Sequence, residues 1–157
     1  MASVKKKNCA IFDLDGTLSN SDKRITFIKT KPKNWLAFYK GLIVDPPVKP
    51  VVDFLIATSK NMDILLLTGR PERYRELTTQ WLTQHALSPY VTDLYMRADN
   101  DNRTDYIVKM EIADKIEQNY KINFVVEDRL TVVEAWKNRG IFVFDVNQNS
   151  HDNKGDF

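Results

Sequence analysis

Residues 8–17 read Asn8-Cys9-Ala10-Ile11-Phe12-Asp13-Leu14-Asp15-Gly16-Thr17, an apolar run that ends in two alternate carboxylates and a glycine. A near-continuous apolar run of this length is the pattern of a strand buried on both faces. Similar runs follow at 63–67, 123–126 and 141–146, with a shorter one at 93–96. Segments with helical spacing lie between them, at 51–59, 72–85, 104–119 and 131–139. Strands alternating with helices predict an α/β fold, a parallel sheet flanked by helices and joined by right-handed crossovers. Pro71 marks a helix start, Asp101 and Thr104 are candidate caps, and Gly140 follows the helix that carries Trp136.

The chain of 157 residues fits a single domain spanning 1–157. One stretch, 20–45, breaks the alternation. It inserts Lys23, Arg24, Lys29, Lys31, Lys33 and Lys40 among Phe27, Trp35, Phe38 and Tyr39, before Pro46, Pro47 and Pro50. We expect a small, partly helical cap over the site after the first strand. The polar tail 147–154 is expected to be loosely held.

Composition narrows the class. With 43% hydrophobic and 28% charged residues the chain is that of an ordinary globular protein, and its net charge of +2 is far below the footprint of a dedicated duplex binder. No apolar run approaches the roughly 20 residues of a membrane span, and Met1 to Lys7 is followed by no secretory cleavage pattern. The protein is expected to stay in the cytoplasm where it is made, without a membrane or stable protein partner. Its lone cysteine, Cys9, sits in an apolar strand and reads as a core residue.

In an open parallel sheet, ligands bind outside the carboxyl ends of the strands. Those ends read Asp13-Leu14-Asp15-Gly16-Thr17, Thr68-Gly69-Arg70, Met96-Arg97 and Glu127-Asp128-Arg129. Taken singly, an Asp-Gly pair marks a turn and Glu-Asp-Arg is a solvated cluster. Together, four strands deliver polar groups to one edge, which is the constellation of a reaction site.

Asp13 and Asp15 can divide the labour of phosphoryl transfer. Asp13 would attack phosphorus and form an aspartyl phosphate, while Asp15 would protonate the leaving alcohol and then take a proton from water. Like-charged partners need a hard cation between them. Magnesium suits oxygen ligands, here Asp13, the main-chain carbonyl of Asp15 and the Asp128 carboxylate. Gly16 would let the backbone bend, while main-chain N–H groups and Thr17 could line the phosphate pocket. Thr68 and Lys109 would supply donors to the transferring oxygens, although a helical lysine is by default a surface residue.

Other chemistries lack their handles. No GxxxxGK[ST] or GxGxxG occurs, and His85 and His151 have no paired metal-ligand spacing.

Asp13-Leu14-Asp15-Gly16-Thr17, Thr68-Gly69-Arg70, Lys109 and Glu127-Asp128 resemble, in order and spacing, the four motifs of the haloacid dehalogenase superfamily. The resemblance implies a Rossmann-like core, an aspartyl-phosphate pathway and magnesium. A closer likeness extends through Thr68 to Glu72, Thr79-Gln80-Trp81-Leu82, Met96-Arg97, Asp101 to Lys109, Glu127 to Trp136 and the closing Gly155-Asp156-Phe157. It is similar to the 3′-phosphatase domain of phage polynucleotide kinases, here without the kinase P-loop. That likeness implies removal of 3′-phosphates in nucleic-acid end repair, in the host cytoplasm if the protein is phage-encoded. By the same likeness Gly69, Arg70, Arg97 and Lys109 would bind substrate phosphate or support the site, with Arg129 beside the metal ligand. Glu127 departs from the aspartate of that domain, and its longer side chain could shift a contact behind the metal.

The substrate has two readings, a phosphorylated nucleic-acid end or a free nucleoside monophosphate. A third reading is a non-catalytic nucleic-acid-binding module, against which the paired acids argue. The aromatic residues of 20–45 could stack a base or simply pack the insert onto the core.

Overall fold

In the computed structural model, which describes residues 4–148, five strands form one wholly parallel sheet in the order β3-β2-β1-β4-β5. β1 (Lys7–Phe12) lies at its centre, between β2 (Asp63–Pro71) and β4 (Tyr120–Glu127), with β3 (Asp93–Arg97) and β5 (Val143–Asp145) at the edges. Period-2 alternation along β1 divides the core. Ala10 and Phe12 join Leu55 of α3 (Lys49–Ser59) and Trp81 of α4 (Arg75–Gln84) on one face. Cys9 and Ile11 join Ala113 of α5 (Asp105–Ile116) and Trp136 of α6 (Leu130–Asn138) on the other. A sheet buried on both faces is why the strands read as unbroken apolar runs.

Several boundaries moved for local reasons. β2 continues through Thr68-Gly69-Arg70 because Thr68 and Pro71 still face Met96 and Arg97 of β3, across a register shift. The helix expected over 72–85 is split into a 3-10 turn, Glu72–Tyr74, and α4. β4 starts at Tyr120, where Tyr120 and Lys121 pair with Lys7 and Asn8. Thr104 takes the N-cap position of α5 but makes no side-chain cap bond. Asp101 instead accepts from the Arg103 main chain at 3.1 Å. After α6 the Gly140 N–H bonds to Lys137 O and the Ile141 N–H to Trp136 O. This closure needs the left-handed φ of +83° that Gly140 supplies without steric cost.

The stretch 20–45 holds α1 (Asp22–Lys29), α2 (Trp35–Lys40) and a 3-10 turn, Gly41–Val44. Pro50 does not end it but sits in the first turn of α3, where its missing N–H costs nothing. Among the described residues no helix is long and apolar enough to cross a membrane. Most of the polar tail, with His151 and Gly155-Asp156-Phe157, lies outside the described residues.

The strand order decides where a site can form. From β1 the chain builds outward to β2 and β3, then α5 carries it back across to β4 on the other side of β1. The crevice between the carboxyl ends of β1 and β4 is therefore the topological switch point.

Candidate active site

Asp13 leaves β1 with its N–H still bonded to Val126 O of β4 at 3.0 Å. The chain then winds around the Leu14 carbonyl, which accepts from the N–H groups of Thr17, Leu18 and Ser19, all at 3.0 Å. Gly16 makes the bend with φ +82°, and a Cβ there would lie 2.1 Å from Asp128 Oδ2. Only glycine lets this backbone approach the Asp128 carboxylate so closely. The carboxylates of Asp13 and Asp128 thus face each other across the switch point.

Lys109 reaches beneath them from α5. Its Nζ, 1% exposed as a residue, lies 2.9 Å from Asp13 Oδ1, 2.8 Å from Glu127 Oε2 and 3.4 Å from Asp105 Oδ2. Thr17 Oγ1 is within 3.3 Å of Asp13 Oδ2 and 3.2 Å of Asp128 Oδ1. Burial, helped by the negative charge of Glu127 and opposed by Lys109, pushes the Asp13 carboxyl up to about 7. Burial works against the charge of Lys109, yet three surrounding carboxylates hold its ammonium well above the usual lysine range. Lys109 offsets much of the negative charge collected here, while Arg97 and Arg129 meet Asp105 at 3.4 and 3.8 Å.

Asp13, Glu127 and Asp128 each offer an oxygen, all within 4.8 Å of one another. This hard, all-oxygen donor set fits magnesium. Glu127 is the member least able to turn toward an ion. Its Oε2 takes Lys109, and its Oε1 takes the N–H of Asp128 at 3.0 Å and of Arg129 at 3.3 Å. Glu127, standing where the resemblance implies an aspartate, turns its carboxylate back onto its own backbone in this way.

Asp15 is in a different environment. Arg70 grips it with Nε on Oδ2 at 3.0 Å and Nη2 on Oδ1 at 2.7 Å, while Arg24 Nη2 meets Oδ1 at 2.5 Å. Burial would raise its pKa, but the two guanidinium groups outweigh that and hold the carboxyl well below the usual range. Two carboxylates two residues apart are therefore pushed in opposite directions, Asp13 toward its protonated form and Asp15 toward its ionised one. Arg24 is itself fixed by Asp45, at 2.9 and 3.0 Å, and by Phe38 O at 2.8 Å. Arg70 is fixed by Thr78 Oγ1 at 3.1 Å. Asp45 O accepts from Trp81 Nε1 at 2.9 Å, which ties the end of the insert to α4.

A cleft of about 460 Å³ opens above these groups, lined by Asp13, Asp15, Thr68, Gly69, Arg97, Glu127, Asp128 and Arg129. Trp35, Phe38 and Tyr39 of α2 line it too, as do residues 101–105. That volume lies within the roughly 300–1,000 Å³ of small-molecule sites. Arg97 braces this wall, its Nε on Gly69 O at 2.9 Å and its Nη1 on Asp101 O at 3.1 Å.

The structure brings every expected site residue to one edge, but several stand in other places than expected. Thr17, Arg70 and Lys109 lie off the cleft lining and hydrogen-bond the acids: Thr17 to Asp13 and Asp128, Arg70 to Asp15, and Lys109 to Asp13 and Glu127. The N–H groups of Gly16 and Thr17 are taken by Ser19 O and Leu14 O, leaving neither for a phosphate pocket. Lys109 is no surface lysine. Arg24, Asp45 and Asp105 were missed. Asp105 stands four residues before Lys109 on one helix face, a spacing that could have signalled the pair. Arg24 gave no signal among the lysines around it.

The chain matches the family described as the polynucleotide kinase PNKP phosphatase domain over residues 7–151. A chain in a structure of the Pnkp1/Rnl/Hen1 complex is 30% identical with a TM-score of 0.80, the match covering 99% of this chain and 49% of that one. A chain of the Pnkp1/Rnl/Hen1 RNA repair complex is 29% identical, with a TM-score of 0.73 over 92% of this chain and 44% of that one. The present chain thus spans about half the length of these relatives. A class C acid phosphatase from Bacillus anthracis with tungstate bound shares the fold at 16% identity and a TM-score of 0.67, over 90% and 68% of the two chains.

Proposed function

The chain belongs to the phosphatase-domain family of the polynucleotide kinases, within the haloacid dehalogenase phosphatases, and from that premise we propose that it removes 3′-phosphates from nucleic-acid ends with magnesium. The observation that carries the reading is the Asp13 carboxylate at the switch point, set between Lys109 and Thr17, faced by Asp128 and followed two residues on by Asp15.

Asp13 attacks phosphorus through a carboxylate oxygen, forming the acyl phosphate as the bond to the 3′-oxygen breaks. Asp15 gives the departing oxygen its proton. A water then attacks the acyl phosphate, passes its proton back to the Asp15 carboxylate and releases inorganic phosphate. Held by Arg24 and Arg70, Asp15 is prepared as the base of the second step. For the first step it must carry a proton, which requires that grip to slacken. Arg24 comes from α1, so movement of the insert as substrate enters would loosen one of the two holds; this is the cap role we assign to 20–45. Lys109 keeps Asp13 turned toward the cleft and offsets charge beneath it. Asp13, the main-chain carbonyl of Asp15 and Asp128 would hold magnesium, which when bound offsets the charge of nucleophile and phosphate. A haloacid dehalogenase-type hydrolase from Bacillus subtilis, YfnB, with the same fold at 11% identity and a TM-score of 0.63, binds magnesium.

Phosphate release from a 3′-phosphorylated oligonucleotide, its 5′-phosphorylated counterpart and free mononucleotides, with magnesium or a chelator, tests the proposal. The 3′-phosphorylated strand should turn over fastest, only with magnesium, and Asp13→Asn should abolish it. Faster hydrolysis of mononucleotides makes the protein a nucleotidase instead.

A further inference from the structure

The aromatic side chains of the insert fall into those used up by packing and one that is not. Phe38 is buried, with the Arg24 guanidinium 4.5 Å from its ring centre. Tyr39 is stacked twice, on Trp35 at 5.9 Å and 19° and on Tyr74 of the 3-10 turn at 4.9 Å and 27°. The Tyr39–Tyr74 pair is one of the contacts that join the insert to the core. Trp35 ends the column, remains 39% exposed, and lines the same cleft as Asp13 and Asp15. Cations stand at both ends of the column. Lys33 Nζ lies 5.7 Å from the Trp35 ring and the Arg73 guanidinium 5.3 Å from that of Tyr74.

Tyr39 packs on one face of the Trp35 indole. The exposed Lys33 side chain stands over the ring, where an incoming base would take its place and leave the ammonium beside the strand. An indole so placed at the mouth of a phosphatase cleft is not what burial alone would select. An aromatic face beside basic side chains is the composition of sites that grip single-stranded nucleic acid, where the ring stacks a base and the cations follow the backbone. We infer that Trp35 is a stacking platform for a base in the last nucleotides of the substrate strand, with Lys33 and Arg73 meeting the neighbouring phosphates. The inference rests on the 3′-phosphatase reading and deepens it. The substrate class becomes an unpaired end that still carries its bases, read without regard to which bases they are, since each has a π face.

The test compares KM and kcat on two 3′-phosphorylated single strands of the same length, one with its last two nucleotides intact and one with both abasic. The wild type should favour the intact strand through KM. Trp35→Leu, which keeps an apolar side chain against Phe38, should raise that KM about tenfold, within the range for losing one stacked base, and erase the preference. Trp35→Phe, which keeps a π face, should retain most of it. A 2-aminopurine at the 3′-terminal position should be quenched on binding to the wild type and stay bright with Trp35→Leu at saturating protein. Equal KM for the two strands in the wild type, or equal losses on both in Trp35→Leu, overturns the platform and leaves the 3′-phosphatase reading standing. A wild type that hydrolyses neither strand overturns both.

Discussion

Replacing Lys109 with methionine isolates the electrostatics of the site from its chemistry. Methionine keeps most of the unbranched stem among its apolar neighbours and removes only the cation. Lys109 stands 2.8 to 3.4 Å from Glu127, Asp13 and Asp105. At an effective dielectric near 20, each contact is worth about 5–6 kcal/mol of attraction before solvation costs are set against it. The net penalty for removing one partner of a buried ionic group is smaller, about 3–5 kcal/mol. For a chain of this size that lowers the melting temperature by about 6–20 °C. The loss depends on pH with a definite sign. Burial already raises the carboxyls of Asp13 and Glu127, and without the cation they rise further. A carboxyl whose folded pKa exceeds its unfolded value destabilises the fold above the folded pKa and ceases to do so below the unfolded one, near 4. The deficit should therefore grow as pH rises above about 7, where the wild-type Asp13 carboxyl ionises and the variant's does not, and shrink below it, which calorimetric scans without metal at several pH values would read. A variant that melts with the wild type at pH 8, or whose deficit grows on acidification, refutes the argument that Lys109 balances an over-acidic cluster.

Three more perturbations probe neighbouring parts. Gly16→Ala combines the left-handed backbone with a Cβ 2.1 Å from Asp128 Oδ2, so it should cost at least about 1–2 kcal/mol of stability and most of the magnesium-dependent activity; urea melts and phosphate release check both. Arg24→Met leaves the buried Asp45 carboxylate without its partner and should destabilise by about 3–5 kcal/mol, whereas adding Asp45→Leu should recover part of that loss. Full additivity in that double-mutant cycle would show the pair to be uncoupled. Magnesium must displace a proton from Asp13, whose carboxyl is raised to about 7, so the thermal stabilisation it confers should fade as pH drops below that value. A stabilisation that is the same at pH 5.5 and pH 8 would remove Asp13 from the ligand set.

Much was legible in the order of residues because a parallel sheet buried on both faces writes its strands as unbroken apolar runs and its site at their carboxyl ends. Asp13, Asp15, Thr68 and Asp128 could be named because each lies within three residues of the end of such a run. What the side chains do there was less legible. Asp15 shows only its own place in the chain; the arginines that hold its proton off come from 9 and 55 residues away. Lys109 reads as a surface lysine until α5 is laid against β1 and β4, where its ammonium lies among carboxylates from three elements.

The local pattern alone determined the α/β alternation, the edge at which chemistry gathers and the acids that gather there, since each depends on periodicity and on which residue ends a strand. Only the tertiary structure decided the protonation bias of Asp13 against Asp15, the burial of Thr17, Arg70 and Lys109 against the acids, and the exposed position of Trp35. Those properties depend on which charges and surfaces meet across space and on how much water is excluded from between them, and folding sets both.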